Sequence, residues 1–227
     1  MYRYYGKGEA VSDFAVIVPS RNSTNVDACV SAIRAMGEMA EIIIVDDGLD
    51  VRRDDCRYID GQKPFVFPRA INMGIRAAGK HHGYVCCNDD ALLESPLGFT
   101  KLHEASVKNP TIGLIGAVTN LTGQPLQQPR GIGLRVVPHF AFVCVYIPQA
   151  TLDNIQWPDQ RYCLDYGVDD RDMCEAVNRA GSQCAVLDHC YLDHGKLKSS
   201  YRGNPEAPRS FAQNHKLLIE KWGAISA

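Results

Sequence analysis

Residues 84–94 read YVCCNDDALLE: a short apolar run that breaks into Asn88-Asp89-Asp90. Adjacent carboxylates at the end of a buried strand repel each other and cost desolvation, so they persist where a cation or a substrate uses them. Successive strand side chains face opposite sides, so Asp89 and Asp90 address one ion only if the chain turns there. One carboxylate is then expected to bind metal directly, and the other to act through water or on a hydroxyl. Mg2+ or Mn2+ fits such oxygen donors, because these cations are often held by one or two carboxylates plus substrate phosphates. The competing reading is an Asp-rich surface turn.

The same grammar recurs on either side of this stretch. Residues 14–19 (FAVIVP) form a β-branched run followed by Ser20-Arg21-Asn22, then by Val26, Cys29, Val30, Ile33 and Met36 at helical spacing. Residues 41–45 (EIIIV) end in Asp46-Asp47-Gly48, followed by an apolar segment at 65–67 and a helix expected over 70–78. After 84–87 a helix is expected behind Ser95-Pro96, with Ser95 as cap and Asn109-Pro110 as its stop. Strands alternating with helices predict an α/β fold, a mainly parallel central sheet with helices on both faces. Ligands of such sheets sit beyond the carboxyl ends of the strands, where this chain carries Pro-Ser-Arg, Asp-Asp-Gly and Asn-Asp-Asp.

Beyond about residue 112 the pattern changes to runs at 132–137 and 140–147, read as a smaller antiparallel or mixed sheet. One domain of 227 residues is expected, with a ligand-binding half over 1–112 and a second half over 113–227 that shapes another pocket. The Gln/Pro-rich stretch 123–130 reads as a mobile loop, and 123–133, His139 and 157–162, with Trp157 and Tyr162, as pocket walls.

A second acidic cluster, Asp169-Asp170-Arg171-Asp172 behind Gly167, precedes Met173, Cys174 and Val177, with Gly181 as the helix stop. Asp in a first helical turn is favoured by free backbone N–H groups alone. Three carboxylates in four residues also fit a general base within reach of an acceptor hydroxyl. Further on, His189 and His194 are five residues apart and face different ways in an extended chain, so one is expected to be a ligand. His194 is favoured, being followed by Gly195 and the basic residues Lys196, Lys198 and Arg202, suited to a diphosphate.

Net charge −2 and pI near 6.4, with Lys and Arg scattered, give no nucleic-acid footprint. Nine cysteines, several inside apolar runs, suggest a reducing compartment. No apolar signal core and no run near the ~20 residues of a membrane span is present, so a cytoplasmic protein is expected, with peripheral membrane contact left open.

Taken in order, VIVPSRN (16–22), IIIVDDG (42–48), RAINMGIRAA (69–78), CNDDA (87–91), YGVDDRDMCEAVNRAG (166–181), DHG (193–195) and KWG (221–223) resemble glycosyltransferase family 2. The resemblance implies a GT-A fold, a nucleotide-diphosphate sugar donor, a divalent metal, and a saccharide or other hydroxyl acceptor. It would put Pro19, Ser20 and Arg21 beside the nucleotide, Asp47 near its base, Asp46 at the strand end, and Arg69 and Asn72 on the donor. Asn88-Asp89-Asp90 would correspond to the family's DXD element, with Asp90 on the metal and Asp89 near ribose or a metal-bound water. Val168-Asp169-Asp170 would take the place of the xED element, making Asp170 the candidate base with Asp169 as its rival, and His194 would be the C-terminal metal ligand. Asn88 and Asp169 depart from the family's Asp and Glu. The implied activity is hexosyl transfer, inverting with an Asp base. Retaining transfer, a sugar nucleotidyltransferase and a nucleotide-sugar-binding protein without turnover are the alternatives. Residues 19–22 lack the Gly-rich basic loop expected of a nucleotidyltransferase.

Overall fold

A computed structural model of the chain describes residues 13–155, 167–199 and 207–223. The first strand, β1 (Phe14–Ser20), is buried along its whole length. Helix α1 (Ser23–Ala35) follows, capped by the Asn22 carboxamide, which accepts from the Thr24 and Asn25 N–H groups at 3.0 and 3.1 Å. Then come β2 (Glu41–Asp46), β3 (Arg57–Asp60), α2 (Phe67–Ala78), β4 (Gly83–Cys87), β5 (Leu92–Leu93) and α3 (Gly98–Lys108). The second half holds β6 (Ile112–Thr119), a 3-10 turn at Pro125–Gln127, β7 (Leu134–Val137), β8 (Cys144–Pro148), α4 (Gln149–Asn154), α5 (Asp169–Arg179), β9 (Gln183–Asp193) and α6 (Ala207–Trp222).

The nine strands of the described residues join one sheet in the order β3-β2-β1-β4-β8-β6-β9-β5, with β7 paired to β9. The first four are mutually parallel; β8 is antiparallel to both β4 and β6, and β9 is parallel to β6. The mixed half therefore continues the parallel half edge to edge. Two reversals across β8 also restore the direction of β4 in β6 and β9, so the carboxyl ends of β1, β2, β4, β6 and β9 share one edge, which the start of β8 joins.

Alternate residues of each central strand feed opposite faces. Val16, Val18, Ile42 and Ile44 pack with Val26, Val30 and Ile33 of α1, and Ala15, Ile17, Ile43 and Val45 with Ala70 and Ile71 of α2. Burial of each such side chain stabilises by roughly 1.5–3 kcal/mol, which explains the near-continuous apolar strands. Helix α2 approaches β1 so closely that a Cβ on Gly74 would lie 2.2 Å from Ile17 Cγ2. The described cysteines are all free, and all but Cys56 are buried. Among the described residues no helix is long and apolar enough to cross a membrane.

Several elements depart from the sequence expectation. Ser95 does not cap α3: the helix starts at Gly98 behind a left-handed Leu97 (φ 52°), and Ser95 Oγ instead accepts from Tyr191 N at 2.9 Å. The cap comes from Glu38, 1% exposed, whose carboxylate accepts from the Phe99 and Thr100 N–H groups at 2.6 and 3.1 Å and from the Thr100 hydroxyl at 2.8 Å. The apolar segment at 65–67 leads into α2, which starts at Phe67, and the strand before it is β3. Helix α5 ends at Arg179 with Ala180 as its C-cap and Gly181 (φ 85°) just beyond; the Gly181 and Ser182 N–H groups close on Asn178 O and Val177 O at 3.1 Å each.

The 123–130 stretch is stitched down. Gln127, fully buried, donates to Ala117 O and Ala141 O (3.1 and 2.9 Å) and accepts from Ala141 N and the Thr122 hydroxyl (3.0 and 3.2 Å). β9 runs through the polar residues 188–190 without ending, because a bulge there accommodates them. Asp188 in that bulge accepts from the Arg130, Ile132 and Gly133 N–H groups and from the Arg135 guanidinium. Burial pushes its carboxyl upward, but Arg135 and those N–H groups outweigh it and hold it at about 2.

Candidate functional site

At the common edge the chain turns after β4, and the two carboxylates diverge. Asp89, 3% exposed, swings toward β1 and accepts the Ser20 hydroxyl at 2.5 Å. Asp90, 2% exposed, swings toward β9, with Oδ1 3.1 Å from His194 Nε2. His194 lies 104 residues further along the chain and reaches this point because β9 runs in the same sense as β4. Its backbone N–H donates to Asn120 Oδ1 at 2.9 Å, and its Nδ1 lies 2.8 Å from Leu121 O, both just beyond β6.

A backbone carbonyl only accepts, so Nδ1 carries a proton, and in the neutral ring Nε2 then presents a lone pair to the Asp90 carboxylate. Two electron-rich atoms 3.1 Å apart call for a proton or a cation between them. This donor set, one carboxylate and one imidazole, suits a Mn2+-like ion completed by ligand oxygens. Among the described residues no three His, Cys, Asp or Glu side chains gather as a ready-made cage. His189 is exposed in the bulge.

A cavity of about 890 Å³ opens at this edge. Its walls include Pro19, Asn88, Asp89 and His194 on one side and Asp169, Asp170, Arg171 and His139 on another, with Phe65, Phe67, Phe140, Phe142, Phe211, His215 and Leu218 between. Both acidic clusters therefore face one space. Asp169 and Asp170 open α5, entered through Gly167 (φ 94°) and a left-handed Val168 (φ 66°). Burial is the main force raising both carboxyls. Asp169, with Asp170 beside it, is raised to about 7. Asp170 is raised too, but the Arg171 N–H at 2.7 Å and the Arg171 charge oppose the rise. Arg171 Nη1 also donates to His139 Nε2 at 2.9 Å, and His139 is held below its ordinary value, first by burial and then by that cation.

Asp172 does not join the pair. It is 1% exposed and points away from the cavity, taking Lys221 Nζ at 2.9–3.0 Å and Trp222 Nε1 at 2.6 Å. Asp46 accepts the Gly48 and Leu49 N–H groups at 2.8 Å each and pairs with Arg52. Burial opposes its ionisation, but those N–H groups and Arg52 hold its carboxyl low. Asp47, 4% exposed, takes Lys63 Nζ on Oδ1 at 2.5 Å, and its buried Oδ2 has no hydrogen bond. Arg69 turns its guanidinium onto Gln62 O and Pro64 O, Asn72 is half-buried on α2, and Arg21 is exposed; none of the three lines the cavity. Lys196 pairs with Glu94 and Asp193, and Lys198 is exposed. Trp157, Tyr162 and Arg202 lie outside the described residues.

The walls contributed by α6 were not read from the sequence. Their trace there is the spacing Phe211, His215, Leu218 and Trp222, one face of a helix.

No protein-family model and no curated protein matches the chain. Solved structures do. GalNAc-T7, crystallised with UDP, GalNAc and Mn2+, superposes with a TM-score of 0.72 at 10% identity, over 94% of this chain and 48% of that one. S. aureus TarS 1–349 superposes with a TM-score of 0.62 at 15% identity, over 92% of this chain and 64% of that one. The same TarS fragment with UDP-GlcNAc gives 0.65 at 13%, over 92% and 66%. The chain thus spans about half to two thirds of the length of these structures. At such identities the likeness is one of architecture, and the architecture is the GT-A fold of glycosyltransferases.

Proposed function

We propose that the chain is a metal-assisted glycosyltransferase, of the kind its family 2 motifs suggest, moving a sugar from a nucleoside-diphosphate donor to an acceptor hydroxyl with inversion. The observation that carries this reading is the convergence on one cavity of the Asp89/Asp90–His194 group and the raised carboxyl pair Asp169/Asp170.

Asp47, which does not line the cavity but donates its N–H to Ser20 O, would take the nucleotide base. Its buried, unpaired Oδ2 is an acceptor waiting for an N–H, such as the imino group of uracil, and a base lacking that donor would leave it unsatisfied. The Ser20 hydroxyl fixes Asp89 through a buried hydrogen bond at the cavity wall, where the carboxylate would meet the donor. Asp90 and His194 would hold the divalent ion. Such an ion, when bound, neutralises charge on the departing diphosphate.

Across the cavity Asp170 takes the acceptor's proton. Its pair arrangement suits that work: burial raises both carboxyls, Asp169 to about 7, while the Arg171 N–H and charge oppose the rise at Asp170 alone, which makes two like groups unequal. A positioned base of this sort contributes roughly 10²- to 10⁴-fold in rate. The aromatic walls, Phe65, Phe67, Phe140 and Phe142, exclude water and offer flat faces to a sugar ring. The 113–227 half would then supply the acceptor side and residues 1–112 the donor side.

Incubation with a panel of nucleotide sugars, Mn2+ and candidate hydroxyl acceptors tests the proposal. Release of nucleoside diphosphate is expected. Release of pyrophosphate would point to nucleotidyl transfer, and tight donor binding with no product of either kind to a binding protein.

A further inference from the structure

Helix α6 presents Phe211, Asn214, Leu218, Lys221 and Trp222 at three- and four-residue intervals, a single face, and every one of these residues meets the start of α5. Asn214 Nδ2 donates to Gly167 O at 3.3 Å. Phe211 lies so close to Gly167 that a Cβ there would meet Phe211 Cδ2 at 2.7 Å. Leu218 is buried against Val168, with Trp222 packed on the same cluster. Lys221 and Trp222 hold the two oxygens of Asp172. Trp222 is itself fixed, its carbonyl accepting Arg179 Nη2 at 2.8 Å and its ring lying 4.9 Å from the Arg179 guanidinium.

Val168 explains why so many contacts are spent here. A β-branched residue at φ 66° is a steric outlier, and such residues cost about 1–3 kcal/mol and survive only where their surroundings over-determine them. The Gly167–Val168 turn decides which way α5 enters. Asp172 lies about 200° around the helix from Asp170, so anchoring it to α6 turns Asp169 and Asp170 the other way, to the cavity.

We propose that α6 is a positioning clamp for the carboxylate pair: Lys221 and Trp222 grip Asp172, and Leu218 and Phe211 press on the Val168 and Gly167 turn, so that Asp169 and Asp170 are held facing the cavity and shielded from water. The clamp's importance to turnover rests on the reading of Asp170 as the base. The residues of the clamp touch no reacting atom and act through α5.

The charged and titratable groups around the pair are Arg171 and Asp172 on α5, His215 and Lys221 on α6, His139 before β8, and Asp89 and His194 across the cavity. Burial is the leading cause of the raised carboxyls, so loosening the cover of α6 admits water and lowers them.

The test is a carbon-13 titration of the Asp169 and Asp170 carboxyls in Trp222→Phe and Lys221→Met, with folding monitored by amide NMR spectra. Trp222→Phe keeps a ring on the cluster and deletes only the N–H to Asp172, so it carries the test if Lys221→Met does not fold. The expected result is a midpoint lowered by about one pH unit, with the wild-type midpoint kept in Lys221→Arg. Unchanged midpoints in folded Trp222→Phe overturn the clamp, whatever the fall in melting temperature. Unimpaired transfer by Asp170→Asn would instead remove the base reading while leaving the titration result standing.

Discussion

Replacing Asp169 with Asn is expected to stabilise the protein at alkaline pH and to leave it nearly unchanged in acid. In the fold this half-buried carboxyl is raised to about 7 from an ordinary value of 3.8, first by desolvation and then by its neighbour Asp170. A folded-state value above the unfolded one means that the group's stabilising contribution is complete below 3.8 and is lost as pH rises through about 7. The gap corresponds to about 4 kcal/mol at about 1.4 kcal/mol per pH unit. Water at the cavity mouth and sharing of one proton with Asp170 reduce this to about 2 kcal/mol, so the variant's melting temperature at pH 8 should exceed the wild type's by roughly 4–8 °C. Asn is neutral at every pH and nearly isosteric, so the difference between the two proteins should shrink steadily toward pH 4. Thermal melts of both proteins from pH 4 to 9 measure it. A difference that is constant across that range, or a variant that is less stable at pH 8, would refute the assignment of a proton-retaining carboxyl.

Asp47→Asn should weaken UDP binding about tenfold by titration calorimetry, the loss of one charge-assisted hydrogen bond, while stability barely moves; equal affinity would exclude Asp47 from the base site. Gln127→Ala removes the Gln127 hydrogen bonds to Ala117 O, Ala141 O and Ala141 N, although Ala141 O keeps the Val143 N–H at 2.8 Å, and should cost about 2 kcal/mol in denaturant unfolding. A loss under about 1 kcal/mol would mean that the 123–130 segment is not held by this side chain. Gly74→Ala should cost about 1–3 kcal/mol, since its methyl would fall on Ile17 Cγ2. Adding Ile17→Val should not recover it, because that change removes Cδ1 and keeps both Cγ atoms; recovery would show that the close approach lies elsewhere. Asp90→Ala should make UDP affinity indifferent to Mn2+, and an undiminished Mn2+ effect would take Asp90 off the metal.

What the sequence disclosed follows from where information is local. β1, β2 and β4 are buried on both faces, so their apolar runs are unbroken and legible, and a strand ending in two acids announces itself. β3, at the sheet's edge with the sequence RYID, is half exposed and carries no such run. The cap of α3 was misread because Glu38, some 60 residues earlier, replaces the local serine. β9 hides its length because its bulge places Asp188 and His189 in the middle of a strand. Within the site, the convergence of Asp90 with His194 depends on strand direction across β8, which no local pattern records. The third carboxylate of the 169–172 cluster looked like its neighbours in sequence, and only its partners on α6 set it apart.

The central claim is that Asp170 removes the acceptor's proton at a donor site built around Asp89, Asp90 and His194. Its most direct measurement is the release of nucleoside diphosphate from the preferred nucleotide sugar, with acceptor and Mn2+, by wild type and Asp170→Asn, alongside UDP affinity for both. The account predicts release reduced at least about 100-fold, with UDP affinity within about twofold. Undiminished release by Asp170→Asn would contradict it.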